Sequence, residues 1–313
     1  MRILAIGAWW TSNSWRYLID AFERSGHQVI RMGPTYNDQG GIDWGLYAVK
    51  PTVEWVRNMP RWHIDFAIDD CTAHFGSPDL LLITEENYRT EIETSGKIPT
   101  VLVSYDGWPE NYARRDLFKP TIAYTNHPYG IGIHPLKETP VGWRYLPGAC
   151  APWIHQDLTM KRDVDFVLYG SMYGDRPAIC TQLKAAGFSV LSGWVETNSY
   201  IEGLNRALVT LSNCQQEEIK WRFFESIACG CMVMTDVTKL FSQLGYEAHE
   251  HYVPLILSET SWPRIEDIRE TISLAKTKPS YVRYVTRNAK EVTLEKHTYF
   301  HRVETILHDL ANH

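Results

Sequence analysis

Residues 162–176, RDVDFVLYGSMYGDR, hold the pattern that decides the fold. The run VDFVLY is mostly apolar and of strand length, and Gly170 and Ser171 end it with a turn signal. Asp175 then stands as a helix N-cap before Arg176 and Pro177, with proline in the first turn. The helical stretch RPAICTQLKAAG runs on to Gly187, a C-terminal stop. Strand, glycine turn and helix in that order make half of a β-α-β crossover, the building unit of a parallel sheet. The alternation continues through a strand FSVLSG (188–193), a helix SYIEGLNRA (199–207) and a strand LVTLSN (208–213). A helix EEIKWRFFESIACG (217–230), a strand CMVMTD (231–236) and terminal helices complete this half.

Working outward, the N-terminal half has the same grammar. RILAIGA (2–8) reads as a strand, SWRYLIDAFERSG (14–26) as a helix closed by Gly26, and HQVIRMG (27–33) as the next strand. Further strands are predicted at HIDFAID (63–69), SPDLLLITE (77–85), PTVLVSYD (99–106) and PTIAYTN (120–126). A connector rich in Pro and Gly at 146–159 separates the halves. The fold class is therefore α/β, with two Rossmann-like, doubly wound parallel-sheet domains facing across a cleft. Ligands in such sheets bind at the carboxyl ends of strands, beside helix N-termini.

Composition narrows the class without choosing the chemistry. The 313 residues suffice for two domains, and 44% hydrophobic content is ordinary for a globular chain. No apolar run approaches the roughly 20 residues that span a bilayer. MRILAIGAWW lacks a signal-peptide core, so the expected location is cytoplasmic. The six cysteines show no paired spacing, which favours buried thiols over disulfides or zinc. No metal site is expected. A net charge of −6 weakly opposes non-specific nucleic-acid binding, though a local basic groove is compatible with it.

Three segments carry a family likeness: 162–176, WRFFESIACGCMVMTD (221–236) and HTYFHR (297–302), continued through LFSQLGYEAHEHYVP (240–254). Together they resemble the CgeB-like (spore-maturation) glycosyltransferases, a bacterial and phage group within the GT-B superfamily. The resemblance implies an acceptor-side domain at 1–150, a nucleotide-sugar domain at 151–296, and a C-terminal helix, 297–313, that crosses back to the first domain. It implies His297 and Arg302 as residues that hold the domains together. It also implies a sugar transferase whose donor is a nucleoside diphosphate sugar, UDP by family frequency and GDP as the alternative.

In the loop 170–176, Gly170 permits close backbone approach, and Arg176 offers a charged fork for phosphate oxygens, with Ser171 and Tyr173 beside them. The same loop also reads as a tight turn with a solvent-facing Arg. In 217–230, Ile219, Phe223 and Ile227 form an apolar stripe, while Arg222, Glu225 and Ser226 share another. The resemblance implies that Arg222 reaches the diphosphate and Glu225 accepts from the ribose hydroxyls; an ordinary surface ion pair is the competing account. Glu217 lies eight positions before Glu225, the spacing of the paired glutamates of many retaining GT-B enzymes. Glu218 is the substitute, and either could be an acidic first-turn residue.

On the acceptor side, family layout directs SYDGWPE (104–110) at the cleft and makes Asp106 the leading catalytic carboxylate, with His127 and His74 as rival bases. A turn or helix-cap role is the alternative for Asp106, and a structural role for either histidine. Most tryptophans precede Leu146. Trp9 and Trp10, followed by TSNS, are candidates to stack on an acceptor, with Asn13 and Ser14 orienting it; core packing is the other use of such rings. The acceptor is a hydroxyl on a glycan, small molecule or protein. The alternatives are a hydroxymethylated base in DNA, approached along Arg16, Arg57, Arg61, Arg114, Arg115 and Lys119, or a non-catalytic relative that keeps the fold as a binding or assembly module.

Overall fold

The computed structural model describes residues 1–6, 15–32, 76–85, 97–104, 120–127, 130–131, 134–135, 142–214, 218–257 and 262–313. Within them the chain divides into two compact units, Met1–Pro147 with Tyr299–His313, and Gly148–Thr298.

The first unit carries β1 (Arg2–Ile6), α1 (Trp15–Arg24), β2 (Gln28–Met32), β3 (Leu80–Glu85), β4 (Thr100–Ser104) and β5 (Ile122–Thr125). A short antiparallel pair, β6 (Gly130–Ile131) and β7 (His134–Pro135), and then β8 (Trp143–Tyr145) follow. Six of these strands form one parallel sheet in the order β2-β1-β3-β4-β5-β8. Ile3, Leu4 and Ala5 and, on the adjacent strands, Leu80 to Leu82 and Val101 to Val103 are buried. Near-continuous apolar runs suit strands covered on both faces, which explains why these segments do not alternate.

The second unit runs β9 (Val164–Tyr169), α2 (Arg176–Ala185), β10 (Val190–Gly193), α3 (Thr197–Arg206), β11 (Ala207–Leu211), α4 (Trp221–Ala228) and β12 (Met232–Asp236). It continues through α5 (Lys239–Gln243), β13 (Val253–Leu255), α6 (Ile265–Thr277) and α7 (Pro279–Lys296). Its five strands are parallel in the order β10-β9-β11-β12-β13. The order reverses between β9 and β11, so their carboxyl ends flank the crevice where doubly wound sheets take ligands.

The last helix, α8 (Tyr299–Ala311), belongs to the first unit. Tyr299 packs on Tyr17 of α1 at 5.8 Å between rings, and Arg302 Nε donates to the Pro147 carbonyl at 2.9 Å. Asp309 accepts from the Tyr124 hydroxyl at 2.7 Å and pairs with Arg144 at 2.6 Å, fastening α8 to β5 and β8. His297 lies in the second unit, where its Nε2 meets the Leu244 carbonyl at 2.8 Å and its ring stacks on Tyr246. His297 and Arg302 thus each have a packing role inside their own unit.

Some local readings need correction. The helix predicted from Glu217 starts at Trp221, because Lys220 is extended (φ −64, ψ 149) and caps it. Glu218 therefore precedes the helix instead of sitting in its first turn, and it pairs with Lys220. Asp175 occupies the N-cap of α2, but its side chain makes no cap hydrogen bond. β8 and β13 have three residues each, too short for any periodicity to show. The strand expected at 63–69 lies outside the described residues.

Under α4 the apolar stripe behaves as its spacing predicts. Phe223 is fully buried, with the rings of Phe241 and Tyr246 each 4.9 Å away. Removing such a ring costs about 3–5 kcal/mol, so this cluster sets the height and angle of α4 on the sheet.

Candidate functional site

Gly170 follows β9 at the point where the sheet order reverses. Its φ of +108 belongs to the region that favours glycine, and a Cβ there would lie 2.6 Å from Nη2 of Arg222. Glycine thus lets a guanidinium from the first turn of α4 lie directly against the β9 turn. The Gly170 amide donates to the Gly193 carbonyl at 2.9 Å, which ties the ends of β9 and β10 together.

Arg176 reaches the same turn from α2. It is buried, donates from Nη1 to the Ser171 carbonyl at 2.8 Å, and lies 4.2 Å from the Tyr173 ring centre and 5.8 Å from that of Trp262. The two rings hold the guanidinium plane by cation–π attraction. Gly174 makes room for this, since a Cβ there would meet Trp262 at 2.6 Å. Burial first, and next the charge of Arg222, pull the Arg176 guanidinium below its ordinary pKa. Two like charges therefore converge on one turn.

Among the described residues neither arginine is seen in an ion pair, and the Nε of each is buried without a hydrogen-bond partner. Native proteins rarely leave buried donors unpaired, and like charges repel, so an anion with several oxygens would satisfy both groups chemically. The solvent-facing account of Arg176 is excluded by its burial.

Glu225, one turn after Arg222, is buried as well, so the surface ion pair is set aside. Its Oε2 accepts from the Tyr200 hydroxyl at 2.6 Å, and its Oε1 lies 3.6 Å from His155 Nε2. Burial first, then the Glu225 charge, push the Tyr200 phenol well up, so at neutral pH it is a protonated donor. The Ala151 amide donates to His155 Nδ1 at 2.9 Å, which leaves the imidazole proton on Nε2, facing Glu225.

Just past β11, Asn213 is buried with neither its amide nitrogen nor its oxygen bonded among the described residues, and the Ser212 hydroxyl is likewise unpaired there. Sequence reading missed Tyr200, His155, Trp262 and Asn213. His155 sits in a stretch that reads as a connector, and Tyr200 on a helix face with no distinguishing period. Only the position of Asn213 at a strand's carboxyl end carried a signal.

Gly170, Ser171, Tyr173, Arg176 and Arg222 are brought together, with Glu225 one turn away. His127 lies two residues past β5 in the first unit, buried, its amide donating to Thr125 Oγ1 at 3.0 Å. Arg16 is buried with its guanidinium over the Tyr17 ring, and this removes it from the basic lane. Asp106, His74, Glu217, Trp9, Trp10, Asn13, Ser14 and the other lane residues lie outside the described residues. Among the described residues no helix is long and apolar enough to cross a membrane.

A family model described as glycosyl transferase-like matches residues 151–308. No curated protein sequence matches the chain. Among solved structures, an alpha-glucosyltransferase in complex with UDP and a 13-mer DNA containing a HMU base is similar over 100% of both chains, with 11% identity and a TM-score of 0.63. The Anabaena protein HepE in complex with UDP and glucose is similar over 100% of both chains, with 11% identity and a TM-score of 0.62. Sucrose-phosphate synthase from Thermosynechococcus elongatus covers 100% of this chain and 99% of its own, with 11% identity and a TM-score of 0.54. At these identities the likeness shows the fold: two parallel-sheet α/β domains of the GT-B kind.

Proposed function

Because this chain belongs to the glycosyl transferase-like family, we propose that it transfers a sugar from a nucleoside diphosphate sugar, UDP before GDP, to a hydroxyl acceptor. The observation that carries the reading is the pair of guanidinium groups converging on Gly170 with buried, unpaired Nε donors. Within the family we read the chain as CgeB-like, on segments 162–176, 221–236 and 297–302. The cysteines among the described residues are buried, which suits the reducing cytoplasm, where we place its action.

In this mechanism the diphosphate lies along the Gly170 turn, with Arg176 and Arg222 donating to its oxygens and Glu225 accepting from the ribose hydroxyls. As the bond from the anomeric carbon to the diphosphate oxygen breaks, negative charge grows on the leaving group. Two fixed cations at a partly desolvated turn stabilise that charge most in the transition state. The acceptor oxygen bonds to the anomeric carbon, and its proton passes to a base, for which Asp106 is our first choice and His127 and His74 the alternatives. Trp9, Trp10, Asn13 and Ser14 are assigned to the acceptor. Glu217 is assigned to the donor sugar, and no metal is invoked.

Thermal-shift titration with UDP, GDP, ADP, CDP and dTDP tests the donor assignment. The matching nucleotide at about 100 times its dissociation constant stabilises the protein by ~2.7 kcal/mol. No shift with any member overturns it and favours the non-catalytic module. A second reading places the acceptor in DNA, as a hydroxymethylated base. It draws on the whole-chain likeness to an alpha-glucosyltransferase solved with DNA. Transfer of labelled sugar to hydroxymethylated DNA, absent with unmodified DNA, would establish it.

A further inference from the structure

We propose that Tyr200 and His155 position Glu225 to read the donor's ribose, so that they set the discrimination between ribonucleotides and deoxyribonucleotides. The inference rests on Glu225 being the ribose-binding carboxylate.

The terminal torsion of a glutamate is broad and roughly two-fold, so an unheld carboxylate presents no fixed pair of acceptors to a diol. Here the group is held from two sides by separate parts of the chain. The Tyr200 hydroxyl, from α3, approaches Oε2 at 2.6 Å, a length typical of a charge-assisted bond. His155, from the connector before β9, presents its Nε2 to Oε1 at 3.6 Å between the heavy atoms, a weaker electrostatic contact, and the Ala151 amide on Nδ1 keeps the ring in that tautomer. Contacts to both oxygens restrict the rotation of the carboxylate plane.

Each carboxylate oxygen accepts from more than one direction. A vicinal diol can therefore share the group with Tyr200 and His155 without displacing them. Arg222 projects from the same helix one turn earlier, so the orientation of Glu225 also sets the span between diphosphate and ribose. Tyr200 has a packing role too, its ring 5.7 Å from that of Tyr169. Tyr200→Phe keeps the ring and removes only the hydroxyl, which separates the two roles.

The test is calorimetric titration of the wild type, Tyr200→Phe and His155→Gln with UDP, 2′-deoxy-UDP, GDP and 2′-deoxy-GDP, each variant checked for folding by thermal melt. The wild type is expected to prefer the ribose form of its nucleotide by about tenfold or more, the worth of hydrogen bonds to a charged group. In both variants that ratio drops to about twofold, while affinity for the deoxy form changes less, because the arginine contacts remain. A ratio retained in both variants overturns the positioning role and leaves the ribose reading standing. A ratio that rises in Tyr200→Phe also overturns it, since Tyr200 would then compete with the ribose. No preference in the wild type removes the ribose reading and the inference with it. Should one variant fail to fold, the other decides.

Discussion

The two edges of the second unit's sheet use the same device to opposite ends. At the amino edge, a Cβ on Gly230 (φ +72) would lie 2.8 Å from Arg162 Nη2; at the carboxyl edge, a Cβ on Gly170 would lie 2.6 Å from Arg222 Nη2. Arg162 spends its donors on the carbonyls of Leu204, Ala207 and Cys229. Arg222 leaves its Nε unpaired. Two asparagines repeat the contrast. Asn205 donates to the carbonyls of Gln156 and Ile201 and accepts from the Leu158 amide, whereas Asn213, equally buried, is bonded by neither atom. A saturated polar group holds a fold together, and an unsaturated one in the same sheet has hydrogen-bonding capacity to spare, which is where we propose that the donor binds.

The largest effect should come from Arg162→Ala, which strips three carbonyls of their donor. We expect a stability loss of about 3 kcal/mol by denaturant titration, with nucleotide affinity unchanged in the folded fraction. Arg222→Ala should do the reverse, weakening nucleotide binding about tenfold or more while the melting temperature of the free protein holds or rises, because a repelling charge leaves. Equal damage to stability from both variants would break the distinction between the edges. The asparagines sharpen it: Asn205→Ala should cost about 2 kcal/mol and Asn213→Ala under ~0.5, since no bond is lost there.

The smallest effect is in acid. Burial would raise the Asp165 carboxyl, but hydrogen bonds from Lys276 and Ser189 outweigh it and hold the group below its ordinary range. A folded pKa below the unfolded value of about 3.9 gives stability that is present above that pH and lost as pH falls through the folded value. Asp165→Asn should therefore be less stable than wild type at neutral pH and converge on it in acid. Parallel curves at every pH would show that the carboxylate charge plays no part.

The fold class was legible because a buried parallel strand and its crossover helix leave local marks. VDFVLY, closed by Gly170 and followed by Arg176 and Pro177, can hardly be anything else. The start of α4 was less legible: nothing in QEEIK says that Lys220 would be extended. Of the candidate site, the residues adjacent in sequence to a strand end or on one helix face, Gly170, Arg176, Arg222 and Glu225, could be singled out. Their surroundings could not. Tyr200 and His155 are 25 and 70 positions from the carboxylate they touch, and no periodicity links them to it.

By itself, then, the amino-acid sequence determined the alternation of strands and helices and the glycines that allow the chain to turn, because periodicity and backbone sterics act over a few residues. The tertiary structure alone decided which buried polar groups are saturated. Whether Asn205 or Asn213, Arg162 or Arg222 finds its partners depends on carbonyls and side chains delivered by other strands and helices, and hydrogen bonding requires those atoms within about 3 Å in space, whatever their distance along the chain.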